Sequence, residues 1–171
     1  MKSILISIKP KYVADILNHK KTIEIRKTMP KCDLPIDVYI YCTKDKETIA
    51  INPYGGYAVV PNKYKNEYFN VKVDAKFTLN KVEHFEREYL SRYIDDYYYD
   101  NGEPLNKKFY KNTCLTENEL FDYIGGKGGY AWHISNLEIF DKPMELWQFG
   151  VKHSPQSFCY VEVDELWVKK H

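Results

Sequence analysis

Residues 3–27 force three elements into a short length of chain, and that limits the folds open to the rest. The run SILISI (3–8) is almost wholly apolar and is bounded by Lys9-Pro10, which reads as a short buried strand. Pro10 suits the first turn of a helix, where its missing N–H costs nothing. Tyr12, Val13, Ile16 and Leu17 then recur at helical spacing and predict a core-facing stripe. Asn18-His19 is the natural stop, because both residue types enter positive φ more readily than most. KKTIEIRK (20–27) follows at once as a second strand.

Further along, DVYIYCT (Asp37–Thr43) alternates and carries aromatics, as a strand does. Asn52 to Asn66, with Gly55-Gly56, reads as a loop. VKVDAKFTLNKVEHF (Val71–Phe85) is the longest strand candidate. Residues 83–103 change character: seven acidic residues stand against Arg87 and Arg92, with the run Tyr97-Tyr98-Tyr99. A helix is expected within Glu86 to Tyr99, ended by Asn101-Gly102. Thr116 and Glu119 form a capping box ahead of Leu120, Phe121 and Ile124, with Gly125 in the C-terminal position. Tyr130 to Phe140 and Phe158 to Val168 read as strands. Several strands and two or three helices, without regular βαβ alternation, predict one α+β domain built on a curved mixed, barrel-like sheet over residues 1–171. The acidic, Tyr-rich stretch at about 83–112 is an elaboration of that domain.

Composition narrows the function classes. With 44% hydrophobic and 29% charged residues, the 171-residue chain is neither disordered nor membrane-like. No apolar run approaches the ~20 residues of a spanning helix. ILISI is too short for a signal-peptide core, so a cytoplasmic protein is expected. The cysteines at 32, 42, 114 and 159 show no CxxC pair and read as thiols rather than bridges. The histidines at 19, 84, 133, 153 and 171 show neither HxxxH nor HExxH spacing, so neither a metal site nor a cofactor is expected. The net charge of +1 hides an asymmetry, because residues 1–31 alone carry eight Lys and Arg against Asp15 and Glu24. That predicts a local anion-binding face around Lys9, Lys11, Lys20, Lys21 and Arg26.

The chemistry concentrates in KKTIEIRK. If Thr22 to Lys27 is a strand, Ile23 and Ile25 face the core, while Thr22, Glu24 and Arg26 share the opposite, wet face. Lys21, just past the helix end, can be aimed at that same face. Two donors beside one acceptor suit a phosphate or the polar edge of a base. Only positions 26, 87 and 92 are Arg among 25 Lys and Arg, so Arg26 is a rare guanidinium placed where its planar fork matters. Trp132 and His133 lie on one strand and must point to opposite faces, Trp132 to the core and His133 free to stack on a base. GGKGG (125–129) follows a helix instead of opening one, so it reads as a turn at the cleft rim rather than a phosphate loop.

The stretch ILISIKPKYVADILNHKKTIEIR (4–26) resembles the opening of ASCH domains, members of the PUA-like superfamily of RNA-associated barrels. Their signature G-x-K-x-x-E-x-R falls on His19, Lys21, Glu24 and Arg26. DVYIYCT, VDAKFTLNKVEHF, LTENEL and GYAWHISNLEIFDKPMELWQF are similar to later parts of the family. The resemblance implies a PUA-like barrel flanked by helices. The signature glycine is His19 here. One branch of the family hydrolyses acetylated cytidine nucleosides with a Lys, a Thr and a Glu. The Lys matches Lys21, but Glu24 stands at the Thr position, and FYKNTC (109–114) supplies no carboxylate, so that mechanism does not carry over intact. Another branch is reported to cut RNA.

Three readings follow. The first is a module binding RNA or a nucleoside or nucleotide through Lys9, Lys21, Glu24, Arg26 and His133. The second is a small hydrolase or ribonuclease using Lys21 and Glu24. The third is a protein-interaction domain using the acidic Tyr-rich stretch.

Overall fold

The N-terminal apolar run forms β1 (Lys2–Ile8), and its two faces go to different cores. Ile4, Ile6 and Ile8 pack with the first helix, while Leu5 packs with Tyr39, Tyr41 and Val161 on the other side. A strand covered on both faces has no use for alternation, which is why this run is continuous. The computed structural model describes residues 1–64, 69–91 and 94–164. After β1 come α1 (Pro10–Leu17), β2 (Ile23–Arg26) and β3 (Ile36–Cys42), then a hairpin of β4 (Glu47–Ile51) and β5 (Tyr57–Pro61). Next are β6 (Lys72–Ser91), β7 (Ile94–Tyr99), α2 (Lys107–Thr113), α3 (Glu117–Ile124), β8 (Gly129–Glu145) and β9 (Phe158–Glu162).

Seven of these strands form one mixed sheet, in the order β2-β8-β6-β3-β1-β9, with β7 added to the far end of β6. β1 and β3 run parallel, and the other pairings are antiparallel. β6 breaks register with β8 at three points, between Val73 and Ala75, Lys76 and Thr78, and Leu79 and Val82. Such bulges bend a strand and increase its twist. The sheet is nevertheless open, not the closed barrel expected. β2 and β9 form no ladder with one another among the described residues. Across the gap runs a side chain: Arg26 on β2 donates through Nη2 to the Ser7 carbonyl at 2.8 Å and through Nη1 to Ser157 Oγ at 3.4 Å. Arg26 thereby links β2 to the C-terminal end of β1 and to the residue just before β9.

α1 ends as its sequence predicts. Asn18 is the C-cap, and His19 takes φ of 57°. The N–H of His19 donates to the Ile16 carbonyl at 2.8 Å and that of Lys20 to the Asp15 carbonyl at 2.9 Å, which satisfies the last turn. The capping box of Thr116 and Glu119 and the left-handed Gly125 bound α3 as expected.

Two expectations fail. Glu86 to Tyr99 contains no helix among its described residues; it is the end of β6 paired with β7, with Phe85 opposite Tyr99 and Arg87 opposite Tyr97. Tyr97 and Tyr99 fall on one face by the strand alternation and pack on Phe85 and Phe109, with ring centroids 6.0 Å apart in the Phe85–Tyr97 and Tyr99–Phe109 pairs. The acidic residues gave the segment a helical look, but the tyrosines set its period. The Asn52–Asn66 stretch is likewise not simply a loop, since Tyr57–Pro61 is β5 and pairs with β4 over α1. The helix of this region is α2, N-capped by Asn106, whose side chain accepts from the Phe109 N–H. The last strand is seen as Phe158–Glu162, and the expected residues 165–168 lie outside the described ones.

Candidate functional site

β2 is where the open sheet meets the helices. Ile23 and Ile25 pack with Phe85, Phe109, Leu120 and Ile124, burial that stabilises by roughly 1.5–3 kcal/mol per side chain. Glu24 and Arg26 take the other face, as the alternation predicts, but that face is not wet. Lys21 is 3% exposed, Glu24 7% and Arg26 5%. The reason is the turn after α1 and the docking of α2 beside it. The Thr22 N–H donates to the Asn112 carbonyl at 2.8 Å, and the Lys21 ammonium donates to the Thr113 carbonyl at 2.7 Å.

The three charges form one cluster. Glu24 Oε2 lies 3.3 Å from Lys21 Nζ, and its Oε1 lies 3.0 Å from Arg26 Nη2. The Lys21 ammonium also sits 5.2 Å from the centre of the Tyr12 ring. Two cations share one carboxylate away from water, leaving an excess positive charge that is expensive to bury without an electron-rich neighbour. The Arg26 Nε–H is buried and has no protein acceptor.

Glu24 and Arg26 open onto a cleft of about 550 Å³. Its lining also includes Ser7, Lys9 and Tyr12 from β1 and α1 and the turn between them, Glu119, Asp122 and Tyr123 from α3, and Pro155 and Gln156 from the segment before β9. Burial raises the phenol of Tyr12, and it raises that of Tyr123 against the opposing charge of Arg26, so both rings stay neutral at physiological pH. At the rim Lys11 pairs with Glu119 at 3.2 Å. Burial is the minor influence on Glu119: its bonds from the Thr116 N–H and from Lys11 hold its carboxyl below the ordinary value.

The expected residues sort accordingly. Lys9, Glu24 and Arg26 line the cleft, and Lys21 stands behind them as the support of Glu24. The expected single basic patch is not there, because Lys21 and Arg26 are buried on Glu24 and Lys11 is paired with Glu119. His133 does not join. It stands opposite Ile23 across the β2–β8 ladder and so shares the Ile23 face, with its Nε2 2.5 Å from Glu83 Oε2. Trp132, opposite Glu24, is fully buried, as expected of a core residue. The GGKGG turn is not a cleft rim. A Cβ at Gly128 would lie 2.6 Å from the Phe85 carbonyl, so the turn is pressed onto β6. No cluster of His, Cys, Asp and Glu fit for a metal occurs among the described residues.

Tyr12, Tyr123, Ser7 and Ser157 were not read from the sequence as site residues. Tyr12 sits on the apolar stripe of α1 and Tyr123 beside the apolar positions of α3, so both resemble core. Ser7 contributes through its backbone carbonyl, which any residue type could supply.

No family model and no curated protein matches the sequence. Solved structures do. The crystal structure of ASCH from Zymomonas mobilis aligns with a TM-score of 0.64 at 17% identity, over 98% of this chain and 93% of that one. A serine-to-alanine mutant of the Zymomonas mobilis protein aligns with a TM-score of 0.61 at 17% identity, over 98% and 92% of the two chains. A tyrosine-to-phenylalanine mutant gives 0.60 at 18%, over 99% and 96%. Across nearly its whole length, the chain has the ASCH-domain fold.

Proposed function

We propose that the chain is an RNA- or nucleotide-binding module whose cleft takes a single nucleoside unit. The observation that carries this reading is the buried Lys21–Glu24–Arg26 cluster at the back of a cleft walled by Tyr12 and Tyr123. The Arg26 Nε–H offers a fixed donor to a base carbonyl, and Glu24 offers an acceptor to an exocyclic amine or a ribose hydroxyl. The tyrosine rings supply π faces on which any base can stack. Lys9, an exposed residue of the lining, supplies the cation for a phosphate. The volume lies within the ~300–1,000 Å³ of ordinary small-molecule sites.

Calorimetric titration with the four ribonucleosides and their monophosphates tests the reading. Binding should occur, and Arg26→Lys, which keeps the charge and removes the fork, should weaken it about tenfold or more. Absence of binding to all eight would sink the proposal.

Hydrolysis finds less support. The Lys21 ammonium is committed to Thr113, Glu24 and the Tyr12 ring and does not line the cleft, so it is a support for Glu24 rather than a group that meets substrate. Product analysis after incubation with acetylated cytidine and with RNA decides the point, and turnover abolished by Glu24→Gln in a folded chain would restore an enzymatic role.

A further inference from the structure

Asp122 stands at a position that its own helix does not favour. It is the third residue from the C-terminal end of α3, where the peptide dipoles repel a carboxylate, and Asp is a poor helix former in any interior turn. No ion pair accounts for it either. The side chain is exposed and has neither a hydrogen-bond nor an ion-pair partner among the described residues. Asp122 does line the cleft, one position before Tyr123.

The other two carboxylates of the lining are committed. Glu24 sits between Lys21 and Arg26. Glu119 accepts from the Thr116 N–H at 2.8 Å, from the Thr116 hydroxyl at 3.1 Å and from Lys11 at 3.2 Å. Among the described lining residues, Asp122 is thus the carboxylate with both oxygens free. The cations divide in the same way. Arg26 is buried on Glu24, whereas Lys9 is exposed and its ammonium has no partner among the described residues. One free anion and one free cation, from different elements, therefore line the exposed part of the cleft, and the committed charges of β2 line its buried part.

A nucleotide matches that order. Its flat base suits the buried part and the tyrosine rings, which leaves the ribose to the exposed residues. A ribose carries its 2′ and 3′ hydroxyls side by side, and its phosphate-bearing 5′ carbon at another corner of the ring. Two adjacent hydroxyls can donate to the two oxygens of one carboxylate, and a contact to the 2′ hydroxyl is what tells ribose from deoxyribose.

We propose that Asp122 binds the 2′,3′-diol of a ribose, so that the cleft takes a ribonucleoside 5′-phosphate whose 3′ hydroxyl is free. A free nucleotide and the 3′-terminal residue of an RNA strand share that chemistry. Deoxyribose lacks one of the two donors, and a 3′-phosphate sets a second negative charge against Asp122. This rests on the nucleotide reading of the cleft and specifies its sugar.

Calorimetry with the four ribonucleoside 5′-monophosphates, their 2′-deoxy forms and the corresponding 3′-monophosphates tests this. For the base that binds, loss of the 2′ hydroxyl should weaken binding about tenfold, the worth of a hydrogen bond to a charged acceptor. Moving the phosphate to the 3′ position should weaken it at least as much. Asp122→Ala should bring the ribose and deoxyribose affinities together. It should also raise the urea midpoint, since it removes a residue that opposes its helix, so lost folding cannot explain a lost preference. Asp122→Lys should invert the phosphate preference toward the 3′ position. Equal affinity of the parent for ribose and deoxyribose forms, or a preference kept in Asp122→Ala, would overturn the role of Asp122. The cleft reading would survive that result if Arg26→Lys still weakened binding. Short single-stranded RNA ending in the preferred nucleotide separates the two sources. Binding with a free 3′ hydroxyl as tight as that of the nucleotide assigns the strand terminus, and binding of the nucleotide alone assigns the free form. Equal binding of the strand with a 3′-phosphate would overturn the free diol. A parent chain that bound none of the nucleotides would overturn both readings.

Discussion

The Lys21 ammonium reaches the Thr113 carbonyl over 2.7 Å, so a buried charge ties the turn before β2 to the last turn of α2. Helix ends leave carbonyls without partners and favour cations beside them. Lys21 and the Thr22 N–H together satisfy two of those carbonyls, at Thr113 and Asn112. Lys21 therefore builds the fold around the site as much as it builds the site. A surface lysine would contribute little to stability, and this one is not on the surface.

The first expected outcome is an order of stabilities. Lys21→Met removes a donor from Thr113 but leaves Glu24 with Arg26, and should cost about 1–3 kcal/mol. Glu24→Gln leaves two buried cations without their shared carboxylate and should cost more, about 3–5 kcal/mol. Urea unfolding of the two variants checks the order, and Lys21→Met as the more damaging change would refute the shared-carboxylate account.

Asp74 carries the second prediction. It is 0% exposed on β6, at the bulge where Ile40 pairs Ala75 and Tyr41 pairs Val73, and neither carboxyl oxygen has a hydrogen-bond partner. Burial pushes its pKa well above the ordinary carboxylate value, opposed weakly by Lys72. The folded state therefore holds this proton more tightly than the unfolded chain. The stability linked to Asp74 is full below the unfolded value of about 3.9 and is lost as pH rises from there through the folded value. Asp74→Asn stays neutral at every pH. It should be more stable than the parent near neutrality, with the difference shrinking toward pH 4. Thermal melts across that window that showed a constant difference would contradict this account.

The sequence was most legible where local rules and burial agree. Pro10, the stripe of α1, Asn18-His19 and the Thr116–Glu119 box each specify a boundary within a few residues, and the structure has those boundaries. Ile23 and Ile25 faced the core as their alternation requires. The polar face of β2 misled, because alternation says which residues share a side but not what covers it. α2 and the gap between the sheet ends do the covering, and both come from distant chain. The hairpin of β6 and β7 misled for another reason. Its acidic residues weigh toward helix in a local window, whereas Tyr97 and Tyr99 pair their faces with Phe85 and Phe109, contacts that no local window contains.

Val71 supplies a prediction about strain. It has φ of 66°, a region a β-branched side chain enters only at a cost of roughly 1–3 kcal/mol. Its N–H donates to the Cys42 carbonyl at 2.8 Å, which holds the backbone there, and its side chain is 43% exposed. Val71→Asn keeps the hydrogen bond and relieves the conformation, so it should raise stability by about 1 kcal/mol despite losing an apolar side chain. Val71→Ala, which keeps a Cβ without the tolerance of Asn for this region, should gain less. Urea midpoints for the pair separate the two, and a lower midpoint for Val71→Asn than for the parent would count against stored strain.

Salt tests the charge balance of the cleft. In the cleft the cations at positions 21 and 26 are buried on Glu24, and the lining adds Glu119 and Asp122 against Lys9. A nucleoside carries no phosphate, so its affinity should stay nearly flat from low to physiological salt, whereas a nucleoside monophosphate that meets Lys9 should lose about one power of salt concentration. Titrations of a nucleoside and of its monophosphate across the same salt series compare the two slopes. A monophosphate slope well above one would mean that more than one cation meets the phosphate and would contradict the commitment of Lys21 and Arg26 to Glu24.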